Sequence, residues 1–389
     1  MRKIQITLQT DDPDLINICS AYWELNTAGE FIHKTTDLAK NANVRVYDIT
    51  QWAKEYSKVF FEEIVCDSCE QPRPVQSRAD YSSAQSYWTC DDCIDAQREE
   101  ERIQHEIELD ERREKVLSVY GDVKRAEIPI ETLSLSHAVY LLSLMRFALS
   151  EDTSYLKPID YCTGSFTPQY SYGVEILRQL YQNESIYVDA DSESEAFCFK
   201  NGDPESFYIT KVSWVFPSLT LSDGKNVHPL NGLTQFLQGE KWPSNWANQR
   251  LELWKEVALN ETIEYLVVKL DEHGLPFNPG EKTKMLLSQI LENFSVSQCY
   301  NFIWRASRDA AAYYARERIS RQQAANSVVG SIQRYSERAK AEGWDIKGYQ
   351  RDFKCPRTIL SEVTFDLALD IGENGFKLPP KEEYLPPRN

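Results

Sequence analysis

Apolar residues recur at helical spacing near the start of the chain. Leu15, Ile18, Cys19, Tyr22 and Leu25 are three or four positions apart, so they share one face of a helix. The pattern predicts a helical N-terminal segment, which we bound at residues 1–62.

The apolar pattern thins out after residue 95. Residues 96–130 are dominated by charged side chains, with Ile103, Ile107 and Leu117 as sparse apolar positions. This segment is predicted to be a solvated connector helix, with a short two-helix coiled contact as the alternative.

A mixed pattern covers residues 131–243. Two apolar helices, the first capped by Thr132 or Ser134, precede strand-like segments. In the last of these the alternating residues are Tyr208, Thr210, Val212, Trp214 and Phe216, which predicts a half-buried strand. Helix, strand, turn, strand is the order of a winged helix, although many small α+β units share it. We therefore predict a winged-helix-like α+β domain here.

Residues 244–375 show only helical patterns. The first of five predicted helices ends with Gly274 at its C′ position, and the fourth begins with a capping pattern from Ser320 to Gln323 and stops at Gly343. A proline-rich tail, residues 376–389, is predicted to be extended. The expected fold class is mainly α with a smaller α+β part, in a multidomain chain.

Charge is unevenly distributed along the 389 residues. The formal net charge of −17 argues against a general nucleic-acid coat, because phosphate binding requires positive charge. Between Tyr300 and Thr358, however, twelve Lys and Arg stand against six Asp and Glu. This segment has a local charge of +6, and the remainder carries about −23.

The sequence shows no targeting or membrane pattern. The N-terminus lacks the apolar run of a signal peptide, and the longest apolar helix is interrupted by Arg146, so it is too short to span a bilayer. We expect a cytoplasmic protein with reduced thiols and no membrane partner.

Four of the nine cysteines form two Cys-x₂-Cys pairs. Cys66 and Cys69 precede Cys90 and Cys93 with twenty residues between the pairs. Two such pairs supply the four-thiolate tetrahedral shell that structural Zn²⁺ prefers, and residues 63–95 resemble zinc ribbons. We predict one structural Zn²⁺ per chain, because a full thiolate shell leaves no open position for catalysis. Redox or disulfide pairs fit this spacing and compartment less well.

The residues between the two pairs suggest how the ribbon is built. Pro72, Pro74 and a turn at Ser82–Ser83 fit short hairpins, and Trp88 can pack over the metal site. Acidic residues surround the basic ones here, so a ribbon that binds protein or is purely structural is as well supported as one that reads nucleic acid.

Residues 35–60 resemble the bacterial helix-turn-helix pattern. Asn43 falls at the turn position with positive φ, which Asn tolerates. Ile49 and Trp52 form the inner face of the second helix. If the motif is used on DNA, the resemblance implies groove-facing residues, namely Arg45, Tyr47, Thr50, Gln51 and Lys54. Residues 1–95 carry nine Lys/Arg against sixteen Asp/Glu, which favours the alternative of protein contacts for a monomer.

Arginines and aromatic residues interleave in the basic segment. Arg suits bidentate phosphate contacts and stacking on bases. The candidate nucleic-acid contacts are Arg305, Arg308, Arg316, Arg321, Arg334, Arg338 and Arg351. Two alternatives explain the pattern equally well. The arginines could lie on a solvated helix face and pair with acidic residues elsewhere in this chain, or they could bind an acidic protein partner.

No catalytic motif is present. The five histidines are scattered, and neither a phosphate-binding glycine loop nor a nucleophile elbow occurs. Asp189, Asp191, Glu193 and Glu195 form an acidic cluster that could bind Mg²⁺ as in a nuclease, although a polar turn explains it more simply.

Three functions remain open. The first is a non-enzymatic nucleic-acid-binding regulator, with DNA as the main target, of prokaryotic or mobile-element type. The second is a protein-binding adaptor or sensor subunit of a larger complex such as a phage-defence system. The third is a metal-dependent nuclease. A homo-oligomer is compatible with each.

Overall fold

The computed structural model describes residues 2–121, 127–221, 223–239 and 242–387. The chain divides into two compact units, one up to Asp110 and the other from Glu111 onward. Both are mainly helical with small sheets, which confirms the predicted class of mainly α with a smaller α+β part. Residues 1–62, predicted to be helical, also contain strands, because two segments at opposite ends of this stretch pair with each other. Among the described residues, no helix combines the length and apolar character that a bilayer crossing needs.

The first unit contains five helices and a three-stranded sheet. Its elements are β1 (Ile4–Leu8), α1 (Pro13–Trp23), α2 (Thr35–Asn41), α3 (Val46–Glu55), β2 (Ser57–Val65), β3 (Pro72–Pro74), α4 (Arg78–Ser83) and α5 (Asp91–Tyr120), whose last ten residues belong to the second unit. The sheet is antiparallel, with β2 between β1 and β3.

In the core of the first unit, helices α1, α2 and α3 share one apolar cluster with the sheet. Trp23 of α1, Ile49 of α3 and Phe61 of β2 are almost fully buried in one apolar cluster. The indole N–H of Trp23 donates to Ser57 Oγ at 2.8 Å, which satisfies a polar group that burial would otherwise leave unpaired. This core positions α3 directly before the β2–β3 hairpin.

The second unit contains the remaining elements. They are β4 (Ile128–Pro129), α6 (Leu135–Ala148), α7 (Tyr170–Gln182), β5 (Tyr187–Val188), β6 (Phe197–Lys200), β7 (Asp203–Phe207), β8 (Trp214–Val215), β9 (Leu219–Thr220), β10 (Asn226–Val227), α8 (Pro229–Gln238), α9 (Ser244–Ala247), α10 (Arg250–Glu272), α11 (Glu281–Leu291), α12 (Val296–Arg316), α13 (Arg321–Glu342), α14 (Ile359–Glu362) and α15 (Asn374–Lys377).

Helix ends in the second unit follow the local sequence signals. Ser134 accepts a hydrogen bond from the His137 amide, and Ser320 accepts one from the Gln323 amide. Gly274 and Gly343 follow α10 and α13 with φ of 65° and 63°, the left-handed conformation that glycine adopts readily. These contacts confirm the predicted caps at the starts of α6 and α13 and the predicted glycine ends of α10 and α13.

One continuous core fills the second unit. It includes residues from both segments predicted as separate domains, for example Leu141 of α6 and Trp254 of α10. The indole N–H of Trp246 donates to the Leu133 carbonyl at 2.7 Å. Residues 131–243 and 244–375 therefore share one apolar interior.

The strand predicted across Tyr208 to Phe216 is wrong. Strand β7 ends at Phe207, and the amides of Lys211 and Val212 both donate to the Tyr208 carbonyl, which forms a turn. Extended structure resumes only at Trp214, which exchanges backbone hydrogen bonds with Leu156. The alternating pattern of residues 208–216 could not reveal where the strand begins, because Trp214 pairs with Leu156, which is distant in the sequence.

The end of the chain also departs from expectation. The last predicted helix is short, since α14 gives way to a π-helical turn over Val363–Ala368. The predicted extended tail begins with the last two residues of α15, which ends at Lys377, and contains a 3₁₀ turn at Glu382–Tyr384. Arg250 Nη1 donates to the Pro386 carbonyl at 2.8 Å, which ties the tail to α10.

Candidate metal centre and nucleic-acid surfaces

The first cysteine pair lies on a tight turn after β2. Cys66 donates its amide to the Gln71 carbonyl at 2.8 Å, and the Glu70 amide donates to the Cys66 carbonyl at 3.0 Å. Glu70 has a φ of 60°, so the chain reverses sharply and brings Cys69 back beside Cys66.

The second cysteine pair lies at the start of a helix. Cys90 immediately precedes α5, and Cys93 falls in its first turn. The hairpin predicted around Pro72 and Pro74 is present as the antiparallel pair of β2 and β3. The turn predicted at Ser82–Ser83 is wrong, because both residues belong to α4, which Ser77 caps through the Asp80 amide. The module therefore differs from a ribbon built of two hairpins.

The two pairs converge on one point. The four sulfur atoms of Cys66, Cys69, Cys90 and Cys93 all lie within 4.8 Å of one another, the only such group of three or more metal-ligating side chains in the part of the chain that the structure describes. The Cys90 amide donates to Cys66 Sγ at 3.3 Å. Four close sulfurs can hold one metal ion, and the donor set is compatible with zinc.

The electrostatics of the cluster also suit a cation. The Cys90 amide lowers the pKa of Cys66 to about 6, so this thiol loses its proton near neutral pH. Hydrogen bonds with the neighbouring thiols raise the pKa of Cys93, and the bond with the Cys90 thiol has the largest effect. A bound divalent cation would favour the thiolate at all four positions.

Helices α2 and α3 meet through the turn that the sequence predicts. Asn43 has a φ of 54°, and the Val44 amide donates to the Ala39 carbonyl at 3.0 Å. Leu38 and Ile49 are buried between the helices. The positive φ predicted for Asn43 is thus confirmed.

The predicted groove-facing residues lie on the outer face of α3. Tyr47 is 63% exposed, and Gln51 and Lys54 are also exposed. Arg45 points outward but forms an ion pair of 2.9 Å with Asp48. Thr50 donates its hydroxyl to the Tyr47 carbonyl at 2.8 Å, which stabilises the first turn.

Arginines of α12 and α13 stack on aromatic rings. The guanidinium of Arg305 lies 4.6 Å from the ring centre of Tyr335, and that of Arg308 lies 4.5 Å from Trp304. No carboxylate among the described residues forms an ion pair with either arginine. Sequence reasoning missed Tyr335, because it reaches Arg305 only through the packing of α13 on α12.

The other basic candidates differ in their contacts. Arg338 stacks on Trp344 at 5.1 Å and pairs with Glu342 at 2.8 Å. Arg334 donates to Ser331 Oγ at 2.9 Å. Arg316 donates to the Ala312 carbonyl, and Arg321 lies 6.0 Å from the ring centre of Tyr314.

Arg351 does not belong with these surface arginines. Its side chain is only 16% exposed and forms an ion pair of 2.9 Å with Glu261, which is 3% exposed. The guanidinium also lies over the ring of Phe376 at 4.2 Å. We therefore leave Arg351 out of any nucleic-acid surface.

The acidic cluster does not assemble into a metal site. Asp191 pairs with Arg113 at 2.7 Å, and Glu193 accepts a hydrogen bond from Tyr161 at 3.0 Å. With Asp189 they line a cleft of about 670 Å³ that also contains Lys157 and Lys211. Among the described residues these acids do not form a group close enough to share an ion. The cleft gives the nuclease hypothesis no geometric support.

No family model matches this chain, and comparisons with curated proteins and with solved structures find no significant similarity. Its function has to be inferred from its own residues.

Proposed function

We propose that this protein is a non-enzymatic DNA-binding regulator whose first unit contacts duplex DNA through α3. The observation that supports the proposal is the outer face of α3, where Tyr47, Gln51 and Lys54 are exposed in a row on a helix fixed from behind by buried Ile49. A helix presented in this way fits the major groove of B-DNA.

The hairpin after α3 strengthens the proposal. Strands β2 and β3 follow α3 directly, so helix, strand, turn and strand occur here in the order of a winged helix. The turn between them carries Cys66 and Cys69. One structural Zn²⁺ on the four thiols would fasten this turn to the start of α5, and the metal would then position the hairpin rather than take part in a reaction.

The proposed roles on α3 differ by side chain. Gln51 carries an amide that can pair with the edge of adenine, whereas Lys54 supplies a point charge for a backbone phosphate. Arg45 would have to leave Asp48 to reach DNA. Gln51 is therefore assigned to sequence preference and Lys54 to affinity.

The test is a salt series of duplex DNA binding by the full-length protein, after selection of preferred sites from random duplexes. Lys54→Ala should weaken binding to all sequences and reduce the slope of log K against log salt by about 0.9. Gln51→Ala should cost about 1 to 3 kcal/mol on the preferred site and relax the preference at one position.

Arg98→Ala is the matched control, because Arg98 lies exposed on α5 and its ion pair among the described residues is with Asp95. It should bind duplex DNA like the unmodified protein. Absence of duplex binding at low salt would overturn the proposal and favour the protein-binding adaptor.

A further inference from the structure

Three arginine–aromatic pairs lie on neighbouring parts of the second unit. They are Arg305 on Tyr335, Arg308 on Trp304 and Arg338 on Trp344. We call these six residues the arginine–aromatic patch. On α12, Arg308 is a neighbour of both Trp304 and Arg305, at spacings of four and three. Tyr335 and Arg338 are one turn apart on α13.

We propose that the arginine–aromatic patch binds single-stranded nucleic acid. This goes beyond the proposed duplex contact of α3, because it involves another unit, other residues and another form of nucleic acid. Three features of the patch support the proposal. They are its charge, the position of the guanidinium groups over aromatic rings, and the exposed area of the indole rings.

The charge of the patch is available for a ligand. Arg305 and Arg308 have no ion-pair partner among the described carboxylates, in a chain whose net charge is −17. Asp309 lies beside them, but it accepts the hydroxyl hydrogen bond of Tyr335. Glu342 pairs with Arg338. Asp309 keeps its negative charge beside Arg305 and Arg308, but among the described residues no carboxylate engages either guanidinium in an ion pair, so both can still donate to a ligand.

Stacking prepares the guanidinium groups for phosphate. A guanidinium that packs over a ring has less rotational freedom than one surrounded by solvent, so it loses less entropy when it binds. Its N–H groups project from the edge of the plane and can donate to two phosphate oxygens at once. Arg305 and Arg308 thus provide preorganised phosphate contacts.

The aromatic rings favour a single strand over a duplex. Trp304 and Trp344 remain 36% and 37% exposed. An exposed indole can stack on an unpaired base, whereas the bases of a duplex already stack on each other and present only their edges. Two further residues lie next to this part of α12. The ring centre of Tyr349 is 5.9 Å from that of Trp304, and the carbonyl of Lys347 accepts a hydrogen bond from Asn301 Nδ2 at 3.1 Å.

The experiment measures binding of the full-length protein to labelled dT20, U20 and a 20-base-pair duplex over a salt series. The double variant Arg305→Ala, Arg308→Ala should bind dT20 or U20 at least about 10-fold more weakly, with a salt slope reduced by about 1.4. Trp344→Leu should weaken binding by about 5- to 100-fold, and Trp344→Phe should retain most of it, because a phenyl ring still stacks.

Arg318→Ala provides the matched control. Arg318 is exposed between α12 and α13, and its removal should leave the affinity for single strands within about 2-fold. Lys54→Ala should reduce duplex binding only, so the two proposals can fail separately. Circular dichroism and thermal unfolding check that each variant is folded.

Several outcomes would overturn the inference. They are the absence of single-strand binding at low salt, equal binding by the double variant, and equal binding by Trp344→Leu. Competition by polyglutamate as strong as that by dT20, with no effect of Trp344→Leu, would instead identify an acidic protein as the partner of the patch.

Discussion

Arg351 and Glu261 form an ion pair inside the second unit, with 2.9 Å between Nη2 and Oε1. Ser361 donates to the same carboxylate oxygen at 2.7 Å. Burial raises the pKa of Glu261, although the neighbouring charge of Arg351 opposes the shift. The pair links α10 to the segment after α13 and to α14. An arginine that resembles a surface contact in the sequence is thus part of the interior.

Replacing Arg351 should destabilise the second unit. Arg351→Met leaves Glu261 buried without its cation, and such a loss costs about 3 to 5 kcal/mol of unfolding free energy. The double variant Arg351→Met, Glu261→Leu should recover part of this loss, because no buried charge then remains. Urea unfolding measures both values. Nucleic-acid affinity at a temperature where Arg351→Met is folded should not change, and a weaker affinity there would return Arg351 to the binding surface.

Removing two thiols should abolish metal binding. Cys66→Ser with Cys69→Ser leaves only two of the four sulfur ligands, so zinc measured in the purified protein should fall from about one per chain to none. Cys162→Ser serves as the control, because Cys162 lies outside the metal-ligating group. Zinc content equal to that of the unmodified protein in the double variant would contradict the prediction.

His137 should make the protein less stable in mild acid. Burial lowers the pKa of His137 in the folded state, and its Nε2 lies 3.3 Å from Asn183 Nδ2. Below about pH 6.5 the unfolded chain binds a proton at this residue before the folded chain does, so the free energy of unfolding falls as the pH falls.

The measurement compares urea unfolding at pH 7.5 and pH 5.5 for the unmodified protein and for His137→Gln, which keeps a polar side chain but cannot titrate. The loss of stability between the two pH values should be smaller in the variant. An equal loss in both proteins would mean that other groups account for the acid sensitivity.

Some features of this protein follow from short stretches of sequence. The caps at Ser134 and Ser320, the glycine ends of α10 and α13 and the positive φ of Asn43 all depend on residues within about four positions of each other. Two Cys-x₂-Cys pairs likewise indicate a metal site from the sequence alone, because the ligand set is defined by residue type and spacing.

Other features depend on partners that are distant in the chain. Trp214 pairs with Leu156 after a turn that interrupts the predicted strand. Arg351 pairs with Glu261, and the guanidinium of Arg305 lies over the ring of Tyr335. The sequence determined by itself the helix starts at Ser134 and Ser320, the helix ends at Gly274 and Gly343, and which thiols can share an ion. Only the tertiary structure decided which arginines are buried in ion pairs and which remain available to a ligand, because the side chains that neutralise or orient them approach only when the helices pack.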